Sequence, residues 1–133
     1  MIYLLDTHAF IWAVLETNSL SKKVHDLVTN VNNEIYVSAV SFWEISLKTS
    51  MKKFSFDNVD IKDFPKHARD MDFNIMDIRE NEAITFHELP IKENHKDPFD
   101  RMLIWQAITK NMTMISKDGL FEQYKKDGLQ LVW

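Results

Sequence analysis

The stretch Ile2-Tyr3-Leu4-Leu5-Asp6-Thr7-His8-Ala9-Phe10-Ile11-Trp12-Ala13-Val14-Leu15 decides the architecture. Ile2 to Leu5 is a short apolar run that reads as a strand buried on both faces. Asp6 closes it, and a helix follows at once from about Thr7 to Leu15. A buried strand feeding directly into a helix is how an alternating α/β chain begins. Such alternation implies a parallel sheet with helices packed on its faces.

The remainder repeats that alternation. A second helix is expected from Ser21, with Val24, Leu27, Val28 and Val31 on one face. Asn32 and Asn33 turn the chain into strand Ile35 to Val37, which Ser38 ends. The next helix should open near Ser41, carry Glu44 in its first turn and reach roughly Met51. Phe54 to Asp60 is loop-like, and Ile61 to Met71 is helical in pattern with Pro65 near its start. Phe73 to Met76 reads as a third strand, Asn81 to Glu88 as a short helix and Leu89 to Lys96 as a polar connection. Asp97 and Pro98 launch a helix carrying Met102, Leu103, Trp105, Ala107 and Ile108, with Pro98 at the first helical position. Met112 to Ile115, a short helix through Phe121 and Tyr124, and strand Leu129 to Val132 complete the order. The expectation is an α/β fold, one domain over residues 1–133, with a central parallel sheet of four to five strands.

Composition is compatible with that plan. A chain of 133 residues fits one domain, and 45% apolar content with nine Phe and four Trp supplies a core. The absence of Cys excludes disulfide frameworks, thiolate zinc sites and cysteine nucleophiles, and suits a reducing compartment, hence a cytoplasmic location. Asp6 and His8 interrupt the early apolar residues, so no signal peptide is expected. Phe10 to Leu15 is far shorter than the roughly 20 residues needed to span a bilayer. A net charge of -4 argues against a broad electrostatic grip on nucleic acid, although Lys48, Lys52 and Lys53 form a local basic cluster.

Asp6, Glu44, Asp100 and Asp118 fall where strands run out or helices begin. In a doubly wound sheet those positions share one crevice. Each has an ordinary structural explanation when taken alone. Asp6 caps a helix, Ser41 to Glu44 matches a capping box, Asp100 sits in a first helical turn, and Asp118-Gly119 reads as a turn. Together they repel, and the usual reasons to assemble carboxylates are a divalent cation or a shared proton. Mg²⁺ and Mn²⁺ prefer such oxygens, and Mg²⁺ keeps waters that leave room for a substrate phosphate. One ion or a pair would activate water and stabilise charge on phosphorus oxygens. Two divalent ions would bring the formal charge of the chain to zero.

Four stretches carry a family resemblance: Asp6-Thr7-His8 with Phe10-Ile11-Trp12, Ser38 through Glu44, His95 through Ile104 with its DPFDR core, and Ser116-Lys117-Asp118. With these the chain resembles the PIN-domain ribonucleases, specifically the VapC-type toxins of prokaryotic toxin–antitoxin pairs. The resemblance spans essentially the whole chain. It implies a PIN-like three-layer α/β/α fold and a metal-binding acidic pocket of Asp6, Glu44, Asp100 and Asp118. Thr7 or Ser116 would supply a hydroxyl nearby, Asp118 would act through water or hold a second ion, and Asp97 would serve as a helix cap. It further implies a Mg²⁺- or Mn²⁺-dependent endoribonuclease acting on structured RNA such as transfer RNA. Homodimers are common in the family. A cognate antitoxin would lay an extended or helical segment over the first helices and present a basic residue to the pocket.

His8 and His95 read as packing or substrate contacts, because a metal-carboxylate mechanism needs no histidine base. Arg101 either binds phosphate bidentately or pairs with Asp97 or Asp100. Among Phe10, Trp12, Phe42, Trp43 and Trp105, most should be core, with base stacking the lesser reading. The competing class is a receiver-like signalling domain with an acidic Mg²⁺ pocket, Asp77 as phosphoacceptor and Lys117 after the fourth strand. It leaves Glu44 and Asp100 without a purpose. An aspartyl-phosphate phosphatase would need an acid where His8 stands.

Overall fold

A computed structural model describes all of residues 1–133. Its five strands are β1 (Ile2–Leu5), β2 (Glu34–Ser38), β3 (Asn74–Met76), β4 (Thr113–Ile115) and β5 (Gln130–Val132). They form one sheet in the order β3-β2-β1-β4-β5, and every pairing is parallel. Six α-helices cover it: α1 (Thr7–Leu15), α2 (Lys22–Thr29), α3 (Ala39–Ser50), α4 (Phe64–Asp70), α5 (Glu80–Thr85) and α6 (Pro98–Thr109). A 3-10 helix over Gly119–Asp127 joins β4 to β5.

Strand side chains alternate between the two sheet faces, and two cores result. Tyr3, Leu5, Ile35, Val37 and Ile115 pack with Phe10, Val24 and Phe64 from α1, α2 and α4. Leu4 and Met114 point the other way, to Leu103, Ile104 and Ala107 of α6 and to Phe121 and Tyr124 of the 3-10 helix. Helix α3 contributes to both, Ile45 to the first core and Val40 to the second. The three-layer α/β/α sandwich is therefore a direct consequence of apolar strands with period-two side chains. Strand order reverses between β1 and β4, where Leu5 lies opposite Ile115. Connections leave those strands in opposite directions, which opens a crevice at their carboxyl ends.

Several expected boundaries move. Helix α3 opens at Ala39, not near Ser41, because the Ser38 hydroxyl at the end of β2 accepts from the Val40 N–H and starts the helix without a loop. Ser41 is consequently inside the helix, the expected capping box is absent, and Glu44 lies in the second turn. Helix α2 ends at Thr29, and Val31, expected on its apolar face, is 96% exposed. Its end is tied off by Asn33, whose side chain donates to the Leu27 carbonyl. The segment from Ile61 divides into a 3-10 turn and α4, with Pro65 in the first turn of α4. The segment after Asn81 likewise divides into α5 and a 3-10 turn over Phe86–Glu88.

Gln106, fully buried on α6, binds these pieces together. Its carbonyl oxygen accepts from the Ser38 hydroxyl at 2.7 Å, while its amide donates to Glu82 of α5 at 2.9 Å and to the Asp77 carbonyl at 3.2 Å. Ser38 is also the cap of α3, so one side chain couples the origin of α3 to α6. A buried polar group left unpaired costs about 1–3 kcal/mol, and replacing Gln106 orphans several at once. Gln106→Leu should lower stability by about 2–4 kcal/mol in urea denaturation. A loss below about 0.5 kcal/mol would show that this coupling is not structural.

Candidate active site

Asp6 follows β1, and its Oδ1 accepts from the Ala9 N–H at 2.7 Å, so it caps α1. Glu44 projects from the second turn of α3 and is 2% exposed. Asp100 sits in the first turn of α6, which Asp97 caps by accepting the Asp100 N–H at 2.9 Å. Asp118 follows β4 and caps the 3-10 helix by accepting the Leu120 N–H at 2.9 Å. The four carboxylates line one cavity of about 360 Å³, together with His8, Trp12, Lys48 and Lys117. The cavity lies in the crevice where the strand order reverses between β1 and β4.

Capping and convergence are compatible here. Asp6 and Asp118 each satisfy a helix start with Oδ1, which leaves the other oxygen uncommitted to the cap. Glu44 has a different anchor: its Oε2 is bonded to Lys48, one turn further along α3, while Oε1 is buried with no hydrogen-bond partner. Asp100 Oδ2 lies 3.2 Å from His95 Nε2, and His95 Nδ1 lies 2.9 Å from the Tyr124 hydroxyl.

Four acids against two lysines leave the cavity with a formal charge of -2, and burial raises the cost of that charge. Desolvation pushes the Asp6 carboxyl up to about 6, against the pull of the Ser116 hydroxyl and the Ala9 N–H, and Asp118 and Glu44 add repulsion. Desolvation also raises Asp100 to about 7, helped by the neighbouring charge of Asp97, while His95 opposes the shift. Burial lowers the proton affinity of Lys48, but the Glu44 carboxylate outweighs it and the ammonium is held charged.

An all-oxygen set of carboxylates, one with a buried orphan oxygen and two with raised proton affinity, is matched by a proton or by a hard divalent cation. Donor atoms of His95, Asp100 and Asp118 lie within 4.8 Å of one another, close enough to share an ion, and Asp6 and Glu44 line the same cavity outside that group. The residues present therefore fit Mg²⁺ or Mn²⁺.

Other candidate residues fall into place around the cavity or away from it. Ser116 is buried beside Asp6 and its hydroxyl accepts the Asp118 N–H, whereas the Thr7 hydroxyl donates to Ser41 at 3.0 Å. Arg101 does not pair with Asp97 or Asp100. Its guanidinium donates to the Leu89 and Pro90 carbonyls at 3.0 Å and covers the Phe86 ring, because one step along α6 turns it about 100° from Asp100. His8 is exposed and lines the cavity, with its ring against Trp12 and Phe54. Asp77 follows edge strand β3, two strands from β1, and is not among the cavity residues. The receiver-like alternative thus loses its phosphoacceptor.

Lys48 entered the sequence reading only as one of a basic cluster with Lys52 and Lys53; its pairing with Glu44 and the link from His95 to Asp100 were not expected. The spacing of Glu44 and Lys48 marks a helical i, i+4 pair, so that signal was present. The pairing of His95 and Asp100 crosses from a loop to a helix and leaves no periodic trace.

A family model described as PIN domain matches residues 3–127. Among solved structures, VapBC2 from Rickettsia felis, bound to a DNA fragment from the promoter, is similar with a TM-score of 0.69 and 21% identity, over 100% of this chain and 99% of that one. VapBC from Salmonella typhimurium, also DNA-bound, gives 0.66 and 15%, over 99% and 97%. FitAcB from Neisseria gonorrhoeae gives 0.65 and 17%, over 100% and 97%. No curated protein matches the chain by sequence. Identities this low speak to the fold, whereas the family match runs from β1 through the 3-10 helix and includes all four cavity acids. The chain belongs to the PIN domain family.

Proposed function

We propose that this protein is a Mg²⁺- or Mn²⁺-dependent endoribonuclease and the toxin of a toxin–antitoxin pair. The observation that carries the reading is the convergence of Asp6, Glu44, Asp100 and Asp118 on one cavity of a PIN domain. Those four side chains would hold one or two ions. A bound ion supplies Lewis-acid polarisation of the phosphorus oxygens and water of lowered pKa.

The chain itself does the rest. Caps and tethers fix the carboxylates before substrate arrives, so little reorganisation accompanies binding. Lys117, whose ammonium lies 5.9 Å from the Trp12 ring centre, sits at the cavity with Lys48 and offers positive charge to an RNA backbone. The His95 ring contacts Asp100 and the Ser116 hydroxyl bonds Asp6, and each steadies its carboxylate. Structured RNA such as transfer RNA is the proposed substrate, and the proposed location is the cytoplasm. No helix is long and apolar enough to cross a membrane.

The proposed antitoxin site adjoins the cavity. A groove of about 570 Å³ lined by Ile11, Trp12, Leu15, Phe54, Phe56 and Val59 shares His8 and Trp12 with the acidic pocket. An apolar segment laid there could carry a basic residue to the carboxylates. Likeness to the VapBC and FitAcB structures favours such a partner, and a homodimer completes the proposed assembly.

Asp6→Asn and Asp100→Asn preserve shape and remove one negative charge each. Both should reduce Mn²⁺-supported cleavage of RNA by at least roughly 100-fold, beyond what changes behind a ligand usually cost. Cleavage that persists in a chelator, or acetyl-phosphate labelling of Asp77, would overturn the assignment.

The pH dependence follows from the raised carboxyls. Metal competes with protons, so activity should climb as pH rises through about 6 to 7, the values of Asp6 and Asp100. For folding the sign is opposite. A carboxyl whose folded pKa is raised lends stability below its unfolded value of 3.8 and loses it as pH rises through about 6. In chelator at pH 8, Asp6→Asn should therefore be more stable than wild type by about 2–3 kcal/mol, since the Asn still accepts the Ala9 N–H. The gap should close near pH 4. A variant less stable than wild type at pH 8 would refute the charge burden assigned to Asp6.

A further inference from the structure

The chain contains three Lys–acid pairs at i, i+4 spacing, and they differ in surroundings. In Lys22–Asp26 the side chains are 91% and 61% exposed, and in Lys66–Asp70 they are 74% and 56% exposed. Such pairs contribute about 0.3–0.5 kcal/mol and have no further role. In Lys48–Glu44 the corresponding values are 23% and 2%. A carboxylate buried to that degree is held by what it touches, and Glu44 touches Lys48 through Oε2 only, while Oε1 has no partner.

Lys48 is itself fixed from several sides. Its Nζ lies 3.8 Å from Asp97 Oδ2, and Asp97 is the cap whose other oxygen receives the Asp100 N–H. The ammonium also lies 5.5 Å from the centre of the Phe54 ring and 5.9 Å from that of Phe99. One cation thereby joins the helix that carries Glu44 to the start of the helix that carries Asp100. Resting on the metal-site reading above, we infer that Lys48 is a positioning residue: it occupies Glu44 Oε2 so that Oε1 alone is presented to the cavity, in register with Asp100.

The alternative is that Lys48 is a spare positive charge. The two accounts predict opposite signs. A lysine that merely adds to the field repels a divalent cation, so removing it tightens metal binding. A lysine that aligns a ligand behaves like other outer-shell partners, whose loss weakens metal binding by roughly 10–100-fold. Lys117 provides the comparison, because it lines the same cavity without an ion pair to the acids.

The test is calorimetric titration of the purified chain with Mn²⁺ at pH 8, with the metal-free melting temperature as a folding check. Lys48→Met should bind Mn²⁺ roughly 10–100-fold more weakly than wild type, and Lys48→Arg, which keeps a donor to Glu44, should recover most of that loss. Lys117→Met should bind as tightly as wild type or tighter. If Lys48→Met does not fold, Lys48→Ala, which likewise leaves no donor to Glu44, supplies the same comparison. Equal or tighter Mn²⁺ binding by the Lys48 variant, or an Arg variant as weak as the Met variant, overturns the inference. Failure of the underlying metal-site reading looks different: wild type and Asp6→Asn would then bind Mn²⁺ alike.

Discussion

The parallel pairing of β1 with β4 is the constraint on which the rest depends. It sets the ends of both strands side by side, with Leu5 opposite Ile115, and so delivers Asp6 and Asp118 to one crevice from residues far apart in the chain. It also fixes where α3 and α6 can pack, because the connections diverge at this point in the sheet. Glu44 and Asp100 arrive from those helices. Without that pairing the four acids would be unrelated surface residues.

Three of the acids are placed by the ordinary business of starting helices, and Glu44 is held instead by Lys48 one turn along α3. Asp6 and Asp118 each cap the element that follows, and Asp100 is held by the cap of its own helix. Local backbone demands thus orient the side chains that the cavity uses. The arrangement is costly for folding, since burial and mutual repulsion raise two of the carboxyls far above their usual range. Functional sites are commonly where such strain concentrates, and the apolar layers on both sheet faces must offset it.

Neutralising groups divide into those that hold the cavity carboxylates and those that face solvent. Lys48 and His95 are half-buried or buried and bear directly on Glu44 and Asp100. Lys117 is exposed and touches no carboxylate of the cavity closely. An overall charge of -4 therefore coexists with two cations, Lys48 and Lys117, at the acidic cavity. The aromatic groove that shares Trp12 and His8 with the cavity gives the same edge an apolar side.

The alternation of strands and helices was legible in the chain, because short apolar runs such as Ile2–Leu5 and amphipathic helices have periods that residues display directly. The acids could be singled out for a related reason: strand-to-helix junctions are marked by caps, and in a parallel sheet those junctions share an edge. What the residues could not disclose was anything settled between distant elements. The start of α3 was misplaced because Ser38, not Ser41, found the free N–H, and Ser38 is held by Gln106 from another helix. The orientation of Arg101 depended on carbonyls of the loop before α6, and the grip of His95 on Asp100 on a loop folding back over Tyr124. Periodicity reports which face of an element is apolar; the partner that a polar side chain meets is chosen only when the layers close.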